Sequence, residues 1–171
     1  MNIEVEDLTI TVAGSGKRVV DAISFALDPG ERVGIIGESG SGKSVTTLAL
    51  LGLLPRSLTA SGSIRVNGTQ IIGASQKQLL GIRGRRMAKI FQDPSTALDP
   101  LTRIGELIAE PLRRHQGLRG HELNAAVERA LTEVALPATE RVSRAFPHEI
   151  SGGQRQRVAI AMALACRPAM L

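Results

Sequence analysis

The octet G-E-S-G-S-G-K-S (residues 37–44) constrains this chain more than any other stretch. Gripping a phosphate takes backbone N–H groups converging on one anion, glycines where side chains would block the approach, and a helix N-terminus behind them carrying about half a positive charge. The spacing G-x-x-x-x-G-K-[ST], placed between a strand and a helix, delivers all three. Gly37, Gly42, Lys43 and Ser44 fit it in full, with R-V-G-I-I-G (32–37) as the strand before and S-V-T-T-L-A-L-L-G-L-L (44–54) as a helix that ends near Pro55. On the motif's mechanics Lys43 reaches the β- and γ-phosphates and the Ser44 hydroxyl ligates Mg²⁺.

A second G-S-G-K lies at residues 14–17, and it fails the same test. Thr11 stands where the leading glycine belongs, Arg18 where the hydroxyl belongs, and a strand follows instead of a helix. Residues 2–12 and 18–27 alternate and are rich in β-branched side chains, so this copy reads as the turn of a hairpin.

With 171 residues the chain is long enough for one full domain with a substantial core. No apolar run approaches the roughly 18 to 20 residues that cross a bilayer. The N-terminus M-N-I-E-V-E-D has no basic and apolar leader, so a cytoplasmic setting is expected. A net charge of +5 allows anionic partners, but no Trp, no Tyr and only three Phe leave no platform for stacking bases, and no nucleic-acid partner is expected. Cys166 is the sole cysteine, which excludes an intrachain disulfide and suits a small buried apolar residue. His115, His121 and His148 show no metal-ligand spacing and read as solvated or capping residues. Arg83, Arg85 and Arg86 read as a solvated face near a sheet edge.

Further along, G-S-I-R-V-N-G-T-Q-I-I (62–72) reads as a second hairpin, and Ser75 with Gln78 as a capping box opening a short helix. M-A-K-I-F-Q (87–92) reads as a strand stopped by Asp93-Pro94, which places Gln92 at a strand's carboxyl end, where open α/β sheets bind ligands. From Ile104 to about Ala135 the pattern is helical, interrupted at G-L-R-G (117–120) and closed by Pro137. A last helix is expected from Ser151 to about Cys166.

The start of that last helix, I-S-G-G-Q-R-Q-R (150–157), is the second informative stretch. Ser151 and Gln154 make a capping box. Gly152 and Gly153 occupy the first turn, where each weakens a helix by about 1 kcal/mol relative to alanine. Bare amides beside a serine hydroxyl at a helix start form a second anion site by the physics of the first. Two such sites in one chain call for two ligands or two copies of the chain.

Taken together, these residues resemble the ATP-binding subunit of ABC transporters over essentially the whole length. Gly37 to Ser44 match the Walker A motif, Gln92 the Q-loop glutamine, and I-S-G-G-Q the signature L-S-G-G-Q with one conservative change. Within the family, R-G-R-R-M-A-K-I-F-Q-D-P-S-T-A-L-D-P and F-P-H-E-I-S-G-G-Q-R-Q-R are similar to subunits of dipeptide, oligopeptide, nickel and glutathione importers. The resemblance implies an α/β fold: a P-loop ABC-ATPase core with a mixed sheet and an N-terminal antiparallel hairpin over residues 1–92, a helical lobe over 93–150, and a signature helix returning to the core over 151–171. It implies ATP and Mg²⁺ as cofactors, with Lys43 and Gln92 serving catalysis and Ser44 and Gln92 the metal. The nucleotide would meet Gly37, Glu38, Ser39, Gly40, Ser41, Gly42, Lys43, Ser44 and Val45, with Val12 beside the base. Ser151, Gly152, Gly153 and Gln154 of a second ATP-binding subunit would close over it in a head-to-tail dimer. Transmembrane permease subunits are the implied partners, with a solute-binding protein acting indirectly, and the place is the cytoplasmic face of the inner membrane.

Two departures qualify the resemblance. The family's apolar strand ending in Asp-Glu has no counterpart, because the sequence stops at Leu171 where that strand would begin, and the switch histidine is missing too. F-A-L-D (25–28) runs into Pro29-Gly30 and reads as a turn, and A-L-D (97–99) has no strand before it. Binding of ATP with negligible hydrolysis is therefore expected of these residues alone, together with exposed apolar surface, instability or aggregation. Val12 also stands where the family usually stacks an aromatic on adenine, which weakens the expected selectivity for the base. Two other readings share parts of the pattern: a DNA-repair or chromosome-structural ATPase, and an unrelated P-loop kinase.

Overall fold

The computed structural model describes residues 1–137 and 140–171, with the backbone alone at Ser95. The chain divides into two compact units, Met1–Gly81 and Ile82–Leu171.

In the first unit, β1 (Ile3–Val12) pairs antiparallel with β2 (Arg18–Leu27) and with β3 (Leu58–Val66), and β3 turns at Asn67-Gly68 into β4 (Thr69–Gln70). The sheet order is β2-β1-β3-β4. The 14–17 G-S-G-K is the turn between β1 and β2, closed by the Val12 amide donating to the Lys17 carbonyl at 2.8 Å.

Ile3, Val5, Leu8 and Ile10 are all buried, although their spacing jumps from two to three after Val5. In a flat strand that jump would turn Leu8 and Ile10 to the other face. A bulge absorbs the extra residue, with Asp7 and Ala22 at positive φ of 48° and 46°. The displaced amides keep partners: Asp7 donates to Ser24 Oγ at 2.8 Å and Ala22 to Thr9 Oγ1 at 3.1 Å. Gly62 on β3 faces the bulge, and a Cβ there would stand 2.4 Å from the Asp7 carbonyl oxygen. Helix α1 (Lys43–Leu50) buries Thr46, Ala49 and Leu50. Helix α2 (Gln76–Leu80) opens on the expected box, with Ser75 accepting from the Gln78 amide.

The second unit is helical. α3 (Ile104–Gln116) and α4 (Gly120–Glu133) are separated by the break at 117–119, and α5 (Glu140–Arg144) precedes α6 (Gly152–Leu164). Buried side chains recur at helical spacing: Ile104, Leu107, Ile108 and Leu112 on α3, and Leu123, Ala126, Val127, Ala130 and Leu131 on α4. With Val158, Ala159 and Ala161 of α6 they form one core. His115 packs at the end of α3 against Gly84, where a Cβ would stand 2.4 Å from Nε2. It is half-buried there, while His121 and His148 are exposed.

Two expected strands do not form. Residues 31–38 are irregular and exposed, and 87–92 pair only at Met87, which bridges Arg83 and Met170 in parallel. The Ala88 amide donates to Met170 and the Met170 amide to Arg86, each at 3.0 Å. The mixed sheet is accordingly antiparallel among the described residues apart from these bridges. The reason is that β-propensity does not make a strand: a parallel strand exists only where a neighbour supplies the other half of its hydrogen bonds. No described strand lies beside 32–37, and Val33 and Ile35 are exposed, as is Ile36 at 96%.

Candidate functional site

In the first unit the octet is bent back on itself. Lys43 Nζ donates to the carbonyl oxygens of Gly37 at 2.7 Å and Glu38 at 2.6 Å, and lies 3.3 Å from Ser41 Oγ. Gly40 and Gly42 have φ of 83° and 89°, a left-handed conformation that a side chain strains. Gly42 carries a second constraint. A Cβ on it would meet Val20 Cγ2 at 2.7 Å and the Val19 carbonyl at 2.8 Å, so the loop is seated against β2. At Gly37 a Cβ would reach Ser41 Oγ at 2.7 Å.

Gly42 is also the N-cap of α1, which has no side-chain cap and no acidic residue in its first turn. The first-turn amides are thus not satisfied by a capping side chain, the arrangement that suits an anion. Glu38, Ser39, Gly40, Ser41 and Ser44 are exposed, and Lys43 and Val45 are half-buried. Val12 ends β1, paired with Leu58 and half-buried. The structure brings Gly37, Glu38, Ser41 and Lys43 into direct contact.

In the second unit, Ser151 is the N-cap of α6: its hydroxyl oxygen accepts from the Gln154 amide at 3.3 Å, and Gln154 Oε1 accepts from the Ser151 amide at 2.9 Å. A hydroxyl that accepts one bond keeps its proton to donate. Ser151, Gly152 and Gly153 are exposed, and apart from its chain neighbours and the backbone of its own helix no described atom stands within 4 Å of where a Gly153 Cβ would lie. Beside them runs a cleft of ≈ 920 Å³ whose walls include Arg141, Arg144, Glu149 and Gln154. Gln92 is exposed on an irregular stretch that leads into the 3-10 turn Pro94–Thr96, not at a strand end.

The aspartates of F-A-L-D and A-L-D both lie in turns. Asp99 accepts from Thr102 Oγ1 at 2.6 Å and from the Leu101 amide at 3.0 Å, which holds its carboxyl below the usual range. Asp28 closes a turn with Glu31, whose amide donates to its carbonyl at 3.1 Å. Cys166 is buried with Sγ 3.3 Å from the Pro111 carbonyl, and burial, then the nearby Glu110, pushes its thiol pKa up. The thiol stays protonated and unreactive near neutral pH.

Sequence reasoning passed over two features. Val19 and Val20 of β2 press on Gly42, and Arg155, one turn into α6, ties back to the turn before it through Nη1, 3.2 Å from the carbonyls of both Pro147 and Ile150. The second had a trace in the sequence, since Q-R-Q-R follows the glycines, but nothing in spacing distinguishes a tether from a solvated arginine.

Comparison with known proteins shows what the chain as a whole is similar to. The chain is 43% identical over 171 residues to the oligopeptide transport ATP-binding protein OppD of Salmonella typhimurium, covering 99% of this chain and 51% of that protein. It is 42% identical over 178 residues to the glutathione import ATP-binding protein GsiA of the same species, covering 99% of this chain and 29% of the relative. The chain thus spans about half, or less, of the length of these curated relatives. Among solved structures, a dimeric ATP-binding cassette in a post-hydrolysis state bound to ADP and Pi superposes with a TM-score of 0.83 at 27% identity, over 97% of this chain and 70% of that one. The profile described as ABC transporter matches residues 20–171, and the chain belongs to the ABC transporter family.

Proposed function

We propose that this chain is the ATP-binding, energy-coupling part of an ABC importer for peptides or similar small solutes. The observation that carries the reading is the uncapped N-terminus of α1 behind two left-handed glycines, with Lys43 closing the loop onto Gly37 and Glu38. The residues fit ATP and Mg²⁺. The loop is closed tightly enough that a Cβ at Gly37 would meet Ser41 Oγ, the ammonium of Lys43 would neutralise phosphate charge, and the exposed Ser44 hydroxyl is a hard oxygen suited to magnesium. Val45 and Val12 would flank the nucleotide. Bound Mg²⁺ spreads the charge that develops on the transferred phosphoryl group.

Ser151, Gly152, Gly153 and Gln154 would face the nucleotide of a second copy, or of a related subunit, in a head-to-tail pair. Such a pair accounts for two anion sites in one chain. Its closure and opening would drive transmembrane permease subunits at the cytoplasmic face of the membrane, with a solute-binding protein delivering cargo on the other side. No helix among the described residues is long and apolar enough to cross a membrane by itself. In this reading residues 1–92 are the core, 93–150 the helical lobe and 151–171 the returning signature segment.

ATP-driven dimerisation, followed by sedimentation, tests the reading. The sandwich predicts that Ser151→Ala weakens the dimer, whereas a P-loop kinase, for which I-S-G-G-Q has no role, would be indifferent to the change. A chain that stays monomeric with saturating ATP contradicts the proposal.

A further inference from the structure

The turn that precedes Ser151 is held from several directions, and none of those contacts is needed for a helix merely to start. Phe146 stacks in parallel on His148, with centroids 5.6 Å apart and planes at 8°. Arg103 covers the Phe146 ring at 5.0 Å and donates to the Arg144 carbonyl at 2.9 Å. Glu149 Oε2 accepts from the Phe146 amide at 2.7 Å. Arg155, reaching back from α6, spans the 3-10 turn Pro147–Glu149 by donating to the carbonyl of its first residue, Pro147, and to that of Ile150 just after it.

That guanidinium is placed for more than tethering. It is half-buried, and its Nη2 lies 3.9 Å from where a Gly152 Cβ would be, alongside the exposed first turn of α6. A helix start binds an anion through amides that must all point at one place, and the entering chain sets their direction. Fixing two carbonyls of that chain to a side chain of the helix itself locks the entry angle. The guanidinium also adds positive charge next to the helix terminus.

We propose that Arg155 is a positioning residue for the second anion site: by bridging Pro147 and Ile150 it pre-orients the Ser151 hydroxyl and the amides of Gly152 and Gly153 toward the nucleotide of the facing subunit. This rests on the sandwich reading given above. Pre-organisation of this kind acts on closure of the pair, because amides already aimed lose less freedom when the nucleotide arrives.

The test is the ATP-driven dimerisation constant of the 171-residue chain, with Mg²⁺ present, for wild type, Ser151→Ala, Arg155→Met and Arg155→Lys. Methionine keeps the apolar stem without donors, and a lysine ammonium can serve both carbonyls. Loss of two charge-assisted bonds predicts that Arg155→Met dimerises on the order of tenfold more weakly, and Arg155→Lys within about threefold of wild type. Rescue by lysine is what a purely packing role would not give. If Arg155→Met pairs like wild type while Ser151→Ala does not, or if lysine is as weak as methionine, the positioning role is wrong and the sandwich stands. If wild type does not pair, or Ser151→Ala is as strong as wild type, the sandwich fails and takes this role with it. Should Arg155→Met lose its helical signal, Arg155→Gln replaces it: amide exchange over 147–153 must quicken relative to Arg155→Lys as dimerisation falls, and unchanged exchange overturns the proposal.

Discussion

Lys43 Nζ lies 2.7 Å from the carbonyl oxygen of Gly37, so the ends of a seven-residue loop are joined by one side chain. The loop is thereby shaped by its own lysine and by the glycines that let the backbone turn. In the proposed reading the loop's stability and its hold on phosphate are coupled, and substitutions here should act on both.

Gly42→Ala is expected to destabilise the first unit by about 1 to 3 kcal/mol, through a strained positive φ and a Cβ pressed on Val20 and the Val19 carbonyl. A denaturant titration followed by circular dichroism measures it. A melt equal to wild type would show that the loop does not rest on β2.

In the second unit, Ile108→Ala removes a side chain that is fully buried between α3 and its neighbours. The expected loss is about 2 to 5 kcal/mol, as for other large-to-small core changes. The same titration reads it, and a loss below about 1 kcal/mol would place Ile108 outside the core.

Val12→Phe is expected to tighten ATP binding. A ring at the end of β1 restores a stacking surface for the base, worth on the order of 1 to 3 kcal/mol in other base–aromatic contacts. Affinities for ATP and for inorganic triphosphate, measured in parallel, separate the outcomes. Gain for ATP alone supports the base-side assignment, and no gain places the base elsewhere.

Alkaline pH should weaken the fold through Cys166. Its folded pKa is raised above the ordinary 9.0, so its contribution is fully present below the unfolded thiol's pKa and is lost as pH rises through the folded value. No tyrosine titrates in this range to mask the effect. Lys89, whose pKa burial lowers, works in the opposite sense, and comparing wild type with Cys166→Ala cancels it. Between pH 8 and 10 wild type should lose more stability than the variant; equal losses would mean that the thiol is solvated.

Much of the fold and the candidate site was legible in the sequence because it is encoded locally. The octet's glycines, the Ser75 and Ser151 capping boxes, the hairpin turn at 14–17 and the break at 117–120 each depend on residues within a few positions. The strands expected at 32–37 and 87–92 depend on a remote neighbour, and side-chain composition says nothing about whether one is supplied. The bulge at Asp7 and Ala22 escaped for a related reason: its amides are satisfied by Thr9 and Ser24 across the strand pair, a relation that no linear spacing displays. The tether of Arg155 and the stacking of Phe146 on the exposed His148 are set by how the turn at 147–149 folds back, which residue type alone does not display.

The cradle at the start of α1 is tested most directly by titrating the 171-residue chain with ATP, with and without Mg²⁺, beside Lys43→Ala. Saturable binding that Mg²⁺ strengthens and that falls on the order of tenfold or more in the variant is the predicted result. Equal affinity in wild type and Lys43→Ala, or no binding by either, would contradict it.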